Sequence, residues 1–475
     1  MTPDSAQLRA QLRELLGADA LLTDGAALAP YLTDHRALYH GQALGVALPR
    51  SAADVTRTLA WCDAQRVGVV PQGGNTSYCG GATPDESGRQ LVLSLQRLNR
   101  IRSVDAANYS LVAEAGCLLV QVQQAAEQAE RLFPLALGSQ GSCQIGGNLS
   151  TNAGGLNVLR YGMVRELVLG LEVALPDGRL LDTLSTLRKD NTGYDIKGLF
   201  LGAEGTLGVI TAASLKLFPK VRDVATAFVA VPGVSEAVAL LGRLREASSD
   251  RVSSFELIPH AAVELTQRHI PGIRAPLATA RPWYVLCELS SSRAADGMAD
   301  LLTEALGAAL EEHLVLDAAL AGSERERAEL WRLRESIPEA QRREGASLKH
   351  DISVPVAALP RFVSRASAWV EASVPAGQLI AYGHIGDGNL HFNLSARTPA
   401  DGQRLLAQSA SVQRAIHDLV REFAGSFSAE HGIGRLKVAE LERYADPTEL
   451  GLMRAVKRAL DPHDIMNPGK VLRGS

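Results

Sequence analysis

Helical and strand-like hydrophobic patterns alternate along the first 220 residues. Apolar residues at helical spacing predict helices over 5–17, 52–66 and 117–131. Short apolar runs predict strands over 67–71 and 111–116, and from residue 166 onward the pattern changes to alternating strands that stop at Pro219. We therefore predict a domain boundary next to this proline.

Strands and helices are mixed in the next part of the chain, in the pattern of an α+β layer built on a mainly antiparallel sheet. The predicted strands there cover 225–231 and 281–289, and the predicted helices cover 234–247 and 294–312. Pro338 is expected to break a long charged helix over 325–343. A hairpin over 380–395, a long helix over about 399–424 and a terminal segment over 446–475 follow. We predict three parts: 1–220, 221–425 and 426–475.

Composition excludes several classes of protein. The 48 Lys and Arg against 52 Asp and Glu give a net charge of −4, so no bulk charge favours nucleic acid or an anionic membrane as a partner. No apolar run approaches the ~18 residues of a membrane span, and the start lacks the basic and apolar regions of a secretory signal. Five widely spaced cysteines indicate neither a zinc site nor a disulfide framework, and we interpret them as reduced thiols in a cytoplasmic protein.

Two glycine-rich segments, 71–77 (PQGGNTS) and 139–155 (SQGSCQIGGNLSTNAGG), have the composition of an anion-binding site. Successive glycines let backbone N–H groups converge on phosphate oxygens, and small residues let the backbone lie against a planar ring. The chain has neither GxxxxGK[ST] nor GxGxxG after a strand, which argues against a P-loop nucleotidase and a Rossmann NAD domain. Tightly packed loops with no ligand are the alternative for these two segments.

A candidate metal site lies in the sequence AYGHIGDGNLHFN. A two-residue turn at Asp387–Gly388 would place His384 directly opposite His391, so that both imidazoles reach one divalent ion, with Asn393 on the same face. Glu430, in the motif SAEHGIG, is the candidate third ligand. Two histidines and a carboxylate suit Zn²⁺, Mn²⁺ or Fe²⁺. The alternative is a pair of ordinary hydrogen-bonded histidines in a turn.

Several motifs together resemble a known family. PQGGNTS, the run from SQGSCQIGGNLSTNAGG to VALPDG, and GLFLGAEGTLGVIT resemble the vanillyl-alcohol-oxidase-type FAD-binding domain. YGHIGDGNLHFN, SAEHGIGRLK and MNPGK are similar to the branch that contains D-lactate and D-2-hydroxyglutarate dehydrogenases. The resemblance implies an α+β protein, in which the N-terminal region and the chain's end form the FAD-binding domain. An α+β substrate cap on an antiparallel sheet is inserted between them.

The resemblance also implies which residues contact FAD. The 71–77 loop would wrap the pyrophosphate, the 139–155 segment would follow the isoalloxazine and ribityl chain, and 204–210 would lie on the adenosine side. The expected FAD-binding residues are Pro71, Gln72, Gly73, Gly74, Asn75, Thr76, Ser77, Ser139, Gly146, Gly147, Asn148, Thr151, Gly154, Gly155, Glu204, Gly205, Ile210 and Asn467. No histidine occurs over 71–84, so we expect non-covalent FAD, with Cys79 the nucleophile that leaves this open.

For the substrate, the resemblance implies that Arg334 binds a carboxylate, Lys349 makes a second cationic contact and Asn393 a polar one. It supports His384, His391 and Glu430 as ligands of a divalent metal, with zinc expected. His431, next to Glu430, is the expected general base and a substrate contact. The predicted reaction oxidises D-2-hydroxyglutarate to 2-oxoglutarate by hydride transfer from C2 to flavin N5.

Two alternatives remain at this point. Pro338 stands where relatives acting on D-2-hydroxyglutarate often have Thr, which keeps a D-lactate dehydrogenase open, whereas Lys349 favours a dicarboxylate. A non-catalytic, flavoprotein-like subunit of an oxidase complex is the other alternative. No CxxC cluster offers an iron–sulfur centre, so electrons are expected to leave to a separate acceptor such as an electron-transfer flavoprotein or a quinone. A homodimer is expected because two-fold dimers are the commonest oligomers.

Overall fold

The computed structural model describes residues 4–474 and has a mixed α+β architecture, as predicted. The α-helices are α1 Ser5–Leu16, α2 Gly25–Leu32, α3 Ala52–Gln65, α4 Leu119–Gln128, α5 Ile145–Ser150, α6 Val158–Tyr161, α7 Val234–Ala247, α8 His260–His269, α9 Met298–Glu311, α10 Glu324–Glu335, α11 Ile337–Glu344, α12 Leu359–Ser373, α13 Gly402–Ala407, α14 Ser409–Glu422, α15 Val438–Tyr444 and α16 Pro447–Leu460. Short 3-10 helices cover Ala18–Ala20, Val164–Leu167, Ile196–Leu199, Val356–Ala358 and Pro399–Asp401.

The strands are short in the first third of the chain and longer afterwards. They are β1 Leu21–Leu22, β2 Gly45–Ala47, β3 Val69–Gln72, β4 Leu91–Ser94, β5 Ile101–Asp105, β6 Ser110–Glu114, β7 Arg131–Leu132, β8 Val168–Ala174, β9 Leu180–Thr183, β10 Val209–Lys216, β11 Phe218–Pro219, β12 Asp223–Val231, β13 Val252–Pro259, β14 Trp283–Ser291, β15 Asp317–Leu320, β16 Ser347–Leu348, β17 Asp351–Ser353, β18 Gly377–Tyr382 and β19 Asn389–Ala396.

The chain forms two compact units. The first comprises the chain up to Gly155, Gly162–Lys220 and the residues from Glu430 onward, and the second comprises Leu156–Tyr161 and Val221–Ala429. Each unit has its own apolar core. The three-part division predicted from sequence, with limits at 220 and 425, stays a prediction.

The first unit contains two larger sheets and the antiparallel pair of β7 with β11. One has the order β1-β2-β4-β3, with β2 and β3 both parallel to β4, and the other is antiparallel with the order β5-β6-β10-β8-β9. The segment near the C-terminus joins the first of these sheets: Val69 donates its N–H to the carbonyl of Ile465 at 2.7 Å, and Asn467 donates to the carbonyl of Val69 at 2.7 Å. Met466, between them, is fully buried in the core of this unit. This pairing anchors the MNPGK motif next to the strand that precedes the first glycine-rich loop.

Every strand pair of the second unit is antiparallel. One sheet has the order β13-β14-β12-β15, and in the other β16, β17 and β18 all pair with β19. An isolated bridge between Leu257 and Gly383 links the two sheets. One continuous apolar core, which includes Phe255, Phe362 and Phe392, packs against both of them.

Pro338 breaks the charged helix as predicted. α10 ends at Glu335 and α11 begins at Ile337, which places Pro338 in the first turn of α11, where a helix needs no N–H donor. The single helix expected over 399–424 is wrong, because Gln408 separates α13 from α14.

Two expectations from composition concern the whole chain. All five cysteines are buried, and no disulfide joins any of them within residues 4–474. Within residues 4–474, no helix combines the length and the apolar character that crossing a bilayer requires.

Candidate functional site

The predicted two-residue hairpin turn is wrong. β18 ends at Tyr382 and β19 begins at Asn389, so Tyr382, rather than His384, lies opposite His391. Gly383 leaves the pairing because its backbone bonds to Leu257 instead, at 2.8 and 3.0 Å, with a φ of +139° that favours glycine. His384 therefore lies in a longer loop, over residues 383–388, outside the ladder.

The longer loop still brings the two histidines together. The ring centroids of His384 and His391 lie 5.6 Å apart at 76°, and a ligating nitrogen of one lies within 4.8 Å of one on the other. This spacing allows both imidazoles to bind one divalent ion at the usual ~2.0–2.1 Å. Asp351 lies opposite His391 on β17, with its carboxylate 3.8 Å from the His391 ring. The donor set of this loop therefore fits a metal such as zinc.

A buried carboxylate that the sequence motifs do not include joins His384 to Arg334. Glu256, on β13, accepts hydrogen bonds from His384 Nδ1 at 2.5 Å and from Arg334 Nε at 2.7 Å. Burial alone would raise the pKa of Glu256, but the Arg334 guanidinium and the His384 imidazole outweigh it and lower that pKa to about 2. The signal for this residue was available: Glu256 is the one charged residue in the buried run VSSFELIP.

Arg334 is buried rather than on the solvent-facing side of α10. Only 5% of the residue is exposed, and its guanidinium lies over the Tyr382 ring, 4.9 Å from the centroid. The same ring lies 5.0 Å from the His391 ring. The arginine predicted to bind a carboxylate and the two predicted metal ligands therefore occupy one cluster in the second unit.

The other two predicted substrate contacts differ in their surroundings. Asn393 is buried, accepts the N–H of His350 at 3.2 Å and donates to Gln341 Oε1 at 2.9 Å. Lys349 is exposed and lies between β16 and β17. The hydrogen bonds of Asn393 therefore go to the protein, and the substrate contacts of Asn393 and Lys349 stay predictions.

The SAEHGIG motif begins where the chain leaves the second unit. Ala429, the last residue of that unit, donates its N–H to the carbonyl of Asp351, which lies opposite His391. Glu430 follows in the first unit, where its carboxylate accepts the N–H of Gly155 at 2.8 Å. The His431 ring meets the Tyr78 ring edge-on, with centroids 4.7 Å apart. Glu430 therefore directly follows a residue that is hydrogen-bonded to β17.

Glu204 holds the loop that follows His431. Its carboxylate accepts the N–H groups of Ile433 and Gly434 at 2.7 and 2.8 Å, and its carbonyl accepts Asn467 Nδ2 at 2.8 Å. Burial raises the pKa of Glu204, and the two backbone N–H groups oppose that rise. Its predicted adenosine contact stays a prediction, since the hydrogen bonds of its carboxylate go to the protein backbone.

The two glycine-rich segments lie against each other in the first unit. A Cβ on Gly74 would lie 2.1 Å from the carbonyl oxygen of Ser142, and a Cβ on Gly146 would lie 2.7 Å from Ala115 Cβ. At Gly147, by contrast, no atom of residues 4–474 outside its chain neighbours and its own helix backbone lies within 4 Å of the Cβ position. The segments therefore pack tightly on each other but leave open space over the first turn of α5.

Three buried oxygens near these segments have no hydrogen-bond partner among the described residues: Gln144 Oε1, Asn148 Oδ1 and Asn467 Oδ1. A buried acceptor without a donor costs free energy, so each of these atoms can take a donor from a ligand or a bound water. FAD carries a ring N–H and several ribityl hydroxyls that can supply donors. The first unit therefore fits FAD, and Gln144 is a candidate contact that the sequence prediction missed.

Several of the predicted FAD-binding side chains are used within the protein. Gln72 donates to the carbonyls of Tyr31 and Ala82, Asn75 donates to that of Thr33, and Thr151 bonds to that of Gly147. Ile210 is buried within β10. We therefore expect backbone N–H groups of the 71–77 loop, rather than these side chains, to contact a phosphate.

Two family models match this chain, one in its N-terminal part and one in its C-terminal half. Residues 43–184 match the model of an FAD binding domain, and residues 220–471 match that of the C-terminal domain of FAD linked oxidases. A protein of Arabidopsis thaliana named "D-2-hydroxyglutarate dehydrogenase, mitochondrial" is 37% identical over 97% of this chain and 80% of its own length. A D-2-hydroxyglutarate dehydrogenase of Xanthomonas citri pv. viticola is 36% identical over 97% of this chain and 96% of its own.

The fold is shared with a solved structure. The structure of p-cresol methylhydroxylase superimposes with a TM-score of 0.77 at 15% identity, covering 99% of this chain and 97% of that one. Identity this low carries no information about the substrate, but the likeness confirms the predicted vanillyl-alcohol-oxidase-type architecture.

The prediction of a cytoplasmic protein is wrong. The Arabidopsis relative is named as mitochondrial, which conflicts with a plainly cytoplasmic assignment. The inference rested on free thiols, and these indicate a reducing compartment without distinguishing the cytoplasm from other reducing compartments.

Proposed function

The chain belongs to the FAD-linked oxidase family and is an FAD-dependent oxidoreductase, and from this premise we propose that it oxidises D-2-hydroxyglutarate to 2-oxoglutarate with the help of a divalent metal. The observation that carries the proposal is the Arg334–Glu256–His384 cluster, which joins a carboxylate-binding group to a metal-binding group in one buried site. A 2-hydroxy acid needs both, since it has a carboxylate next to the hydroxyl that reacts.

The substrate assignment is supported by charge and by the relatives. A guanidinium presents its N–H donors in a fork that matches a carboxylate, and we assign Arg334, which donates Nε to Glu256, to the C1 carboxylate of the substrate. Lys349, exposed in the same unit, is assigned to the second carboxylate of a dicarboxylate. Both relatives reported above carry the name D-2-hydroxyglutarate dehydrogenase.

His384, His391 and Glu430 are the proposed metal ligands. The imidazole spacing and the position of Glu430, one residue after the Ala429–Asp351 hydrogen bond, support this assignment. A divalent ion lowers the pKa of an oxygen that it binds, which eases removal of the substrate's hydroxyl proton. His431 is the proposed base that takes this proton, and its edge contact with Tyr78 fixes the ring orientation.

FAD is proposed to bind non-covalently in the first unit, where it would accept the C2 hydrogen as hydride at N5. Gln144, Asn148 and Asn467 are the residues whose unpaired buried oxygens would accept its donors. Cys79 Sγ lies 3.5 Å from the carbonyl of Gly432 and is buried, which favours a structural thiol over a flavin tether. Electrons are proposed to leave to a separate protein or quinone acceptor, and a homodimer stays a prediction that light scattering can check.

Anaerobic bleaching of the flavin band near 450 nm tests the proposal. We expect D-2-hydroxyglutarate to bleach the purified yellow protein, L-2-hydroxyglutarate to leave it unchanged, and EDTA to prevent bleaching until Zn²⁺ or Mn²⁺ is restored. If only D-lactate or only D-malate bleaches the protein, that acid would replace D-2-hydroxyglutarate as the proposed substrate. A yellow protein that no hydroxy acid bleaches would overturn the reaction, and a colourless protein would favour the non-catalytic subunit.

His431→Ala tests the proposed base. We expect this variant to retain its FAD and its zinc affinity but to lose substrate bleaching by at least about a hundredfold in rate, since general bases contribute roughly 10²–10⁴-fold. Stopped-flow absorbance measures the rate. A near-normal rate would show that another group removes the proton.

A further inference from the structure

Glu256 is a charged residue at a position in the apolar core where packing of the fold requires no charge. It is fully buried on β13 between Phe255 and Leu257, both of which belong to the apolar core. A charge in such a place is retained only when its hydrogen bonds compensate the lost hydration. Its two oxygens bind two different partners, Oε1 the His384 ring and Oε2 the Arg334 Nε.

The two partners come from separate elements. Arg334 lies on α10, 78 residues from Glu256 in sequence, and His384 lies in the loop after β18, 128 residues from it. Glu256 itself lies next to the Leu257–Gly383 bridge that holds the start of that loop. The carboxylate and its own strand therefore fix the positions of both groups relative to one sheet.

The chemistry of each bond restricts what its partner can do. An imidazole that donates from Nδ1 to a carboxylate carries its hydrogen there and presents the Nε2 lone pair, which is the form that binds a metal. A guanidinium held through Nε has a fixed plane, and the Tyr382 ring, 4.9 Å away, supports that plane from one side. Without the carboxylate, the hydrogen of the His384 ring would no longer be held on Nδ1, and the guanidinium plane of Arg334 would no longer be fixed.

We infer that Glu256 is a positioning residue that couples metal binding to substrate binding, by holding His384 in its ligating form and Arg334 in its carboxylate-binding orientation. The inference rests on the proposed function and deepens it. It predicts that one substitution on β13 weakens the binding of both the metal and the substrate, although Glu256 is not assigned to contact either of them.

The chain contains a matched control. Glu288, on the neighbouring strand β14, is also buried and accepts two hydrogen bonds from Arg327, at 2.8 and 3.0 Å, and one from Trp331. It is 6% exposed against 0% for Glu256 and also pairs with an arginine, and none of its partners, which include the Thr226 hydroxyl, has a role in the proposed reaction. Glu288→Gln thus reproduces the loss of a buried carboxylate without touching the cluster.

The experiment compares Glu256→Gln, Glu256→Asp and Glu288→Gln with the unsubstituted protein, all loaded with FAD. Zn²⁺ affinity is measured by competition with a chromogenic chelator, the KM for D-2-hydroxyglutarate is measured at saturating Zn²⁺, and FAD content is read at 450 nm. The amide that Glu256→Gln introduces can face His384 with its NH₂ group, which forces the hydrogen onto Nε2. We therefore expect zinc affinity to fall about 10–100-fold and KM to rise about tenfold or more, with FAD content unchanged.

Glu256→Asp keeps the charge but shortens the side chain. We expect it to fold and to recover part of the zinc affinity, and it provides the readout if the Gln variant does not fold. Glu288→Gln is expected to lower the melting temperature and leave zinc affinity and KM unchanged. Unchanged zinc affinity and KM in both Glu256 variants would overturn the inference.

Failure of the proposed function gives a different result. If the unsubstituted protein binds zinc but is not bleached by D-2-hydroxyglutarate, the substrate is wrong, and the zinc comparison still decides whether Glu256 positions His384. If the unsubstituted protein does not bind zinc, the metal assignment and the coupling through Glu256 are both overturned.

Discussion

Lys470, in the MNPGK motif, is a cation with 4% of its surface exposed. Burial and, to a smaller extent, the charge of Arg435 lower its pKa from 10.5 to about 8, and Asp85 only partly opposes this. The folded state therefore binds the proton less tightly than the unfolded state does. The resulting cost to stability is fully present below pH 8 and disappears as the pH rises to 10.5.

We expect Lys470→Met to stabilise the FAD-free protein at pH 7 by about 3 kcal/mol, at 1.36 kcal/mol per pKa unit. The gain should shrink as the pH rises above 8 and vanish near 10.5. Urea unfolding at several pH values measures it. No gain at pH 7 would mean that an anion pairs with this ammonium in the folded protein.

Lys349→Met separates a dicarboxylate from a monocarboxylate substrate. If Lys349 binds the second carboxylate, the KM for D-2-hydroxyglutarate should rise about tenfold, since a hydrogen bond to a charged group contributes roughly 1.5–3 kcal/mol. The KM for D-lactate, which has no second carboxylate, should not change. Arg342→Met removes another exposed cation of the same unit and serves as the control. Equal effects on the two substrates would exclude this role for Lys349.

At the residue scale, the sequence predicted the types of group at the site but not how they are connected. His384 and His391 lie in one recognisable motif and Arg334 follows from the family resemblance, whereas Glu256 lies in no motif and meets its partners only in the folded chain. Glu204 shows the same limit. Its motif marks it as functional, but its hydrogen bonds to Ile433 and Gly434, about 230 residues away, follow from tertiary structure.

At the element scale, the periodic patterns predicted helices and strands well where local sequence decides them. α1 and α3 lie within a residue or two of the predicted ranges, and α3 begins after Ser51, whose hydroxyl accepts the Asp54 N–H as an N-cap. The 380–395 hairpin failed because Asp387–Gly388 is a good local turn that a non-local bridge, Leu257 to Gly383, overrides. Local turn chemistry contains no information about such a bridge.

Three glycine substitutions test the proposed FAD contacts of the glycine-rich segments. Gly74→Ala should lower both the melting temperature and FAD retention, because its Cβ would lie 2.1 Å from the Ser142 oxygen. Gly147→Ala should keep or raise the melting temperature, since alanine favours a helix by about 1 kcal/mol, but should lose FAD because the new methyl group would occupy the space where we place the flavin. Gly141→Ala, with no atom within 4 Å of the new Cβ, is the control. Full FAD retention in Gly147→Ala would contradict a flavin over α5.

At the scale of the whole molecule, the C-terminal segment from Glu430 onward contributes to the stability of the first unit. Met466 is fully buried in the core of that unit, so Met466→Ala should cost about 2–5 kcal/mol and promote FAD release. Leu452→Ala, on the 63% exposed Leu452 of α16, should change stability by less than about 0.5 kcal/mol. Urea unfolding monitored by flavin fluorescence measures both. Equal effects would show that the C-terminal segment contributes little to the fold.

Because the C-terminal segment pairs with β3, the fold of the first unit can be completed only late in synthesis. Val221–Ala429, nearly all of the second unit, is continuous and can fold as soon as it is made, whereas β3 of the first unit waits for Ile465 and Asn467. Because Asn467 is a proposed FAD contact, we expect a nascent chain to retain its flavin only after this residue has left the ribosome. Yellow colour would then report translation past Asn467, and prematurely terminated chains would remain colourless.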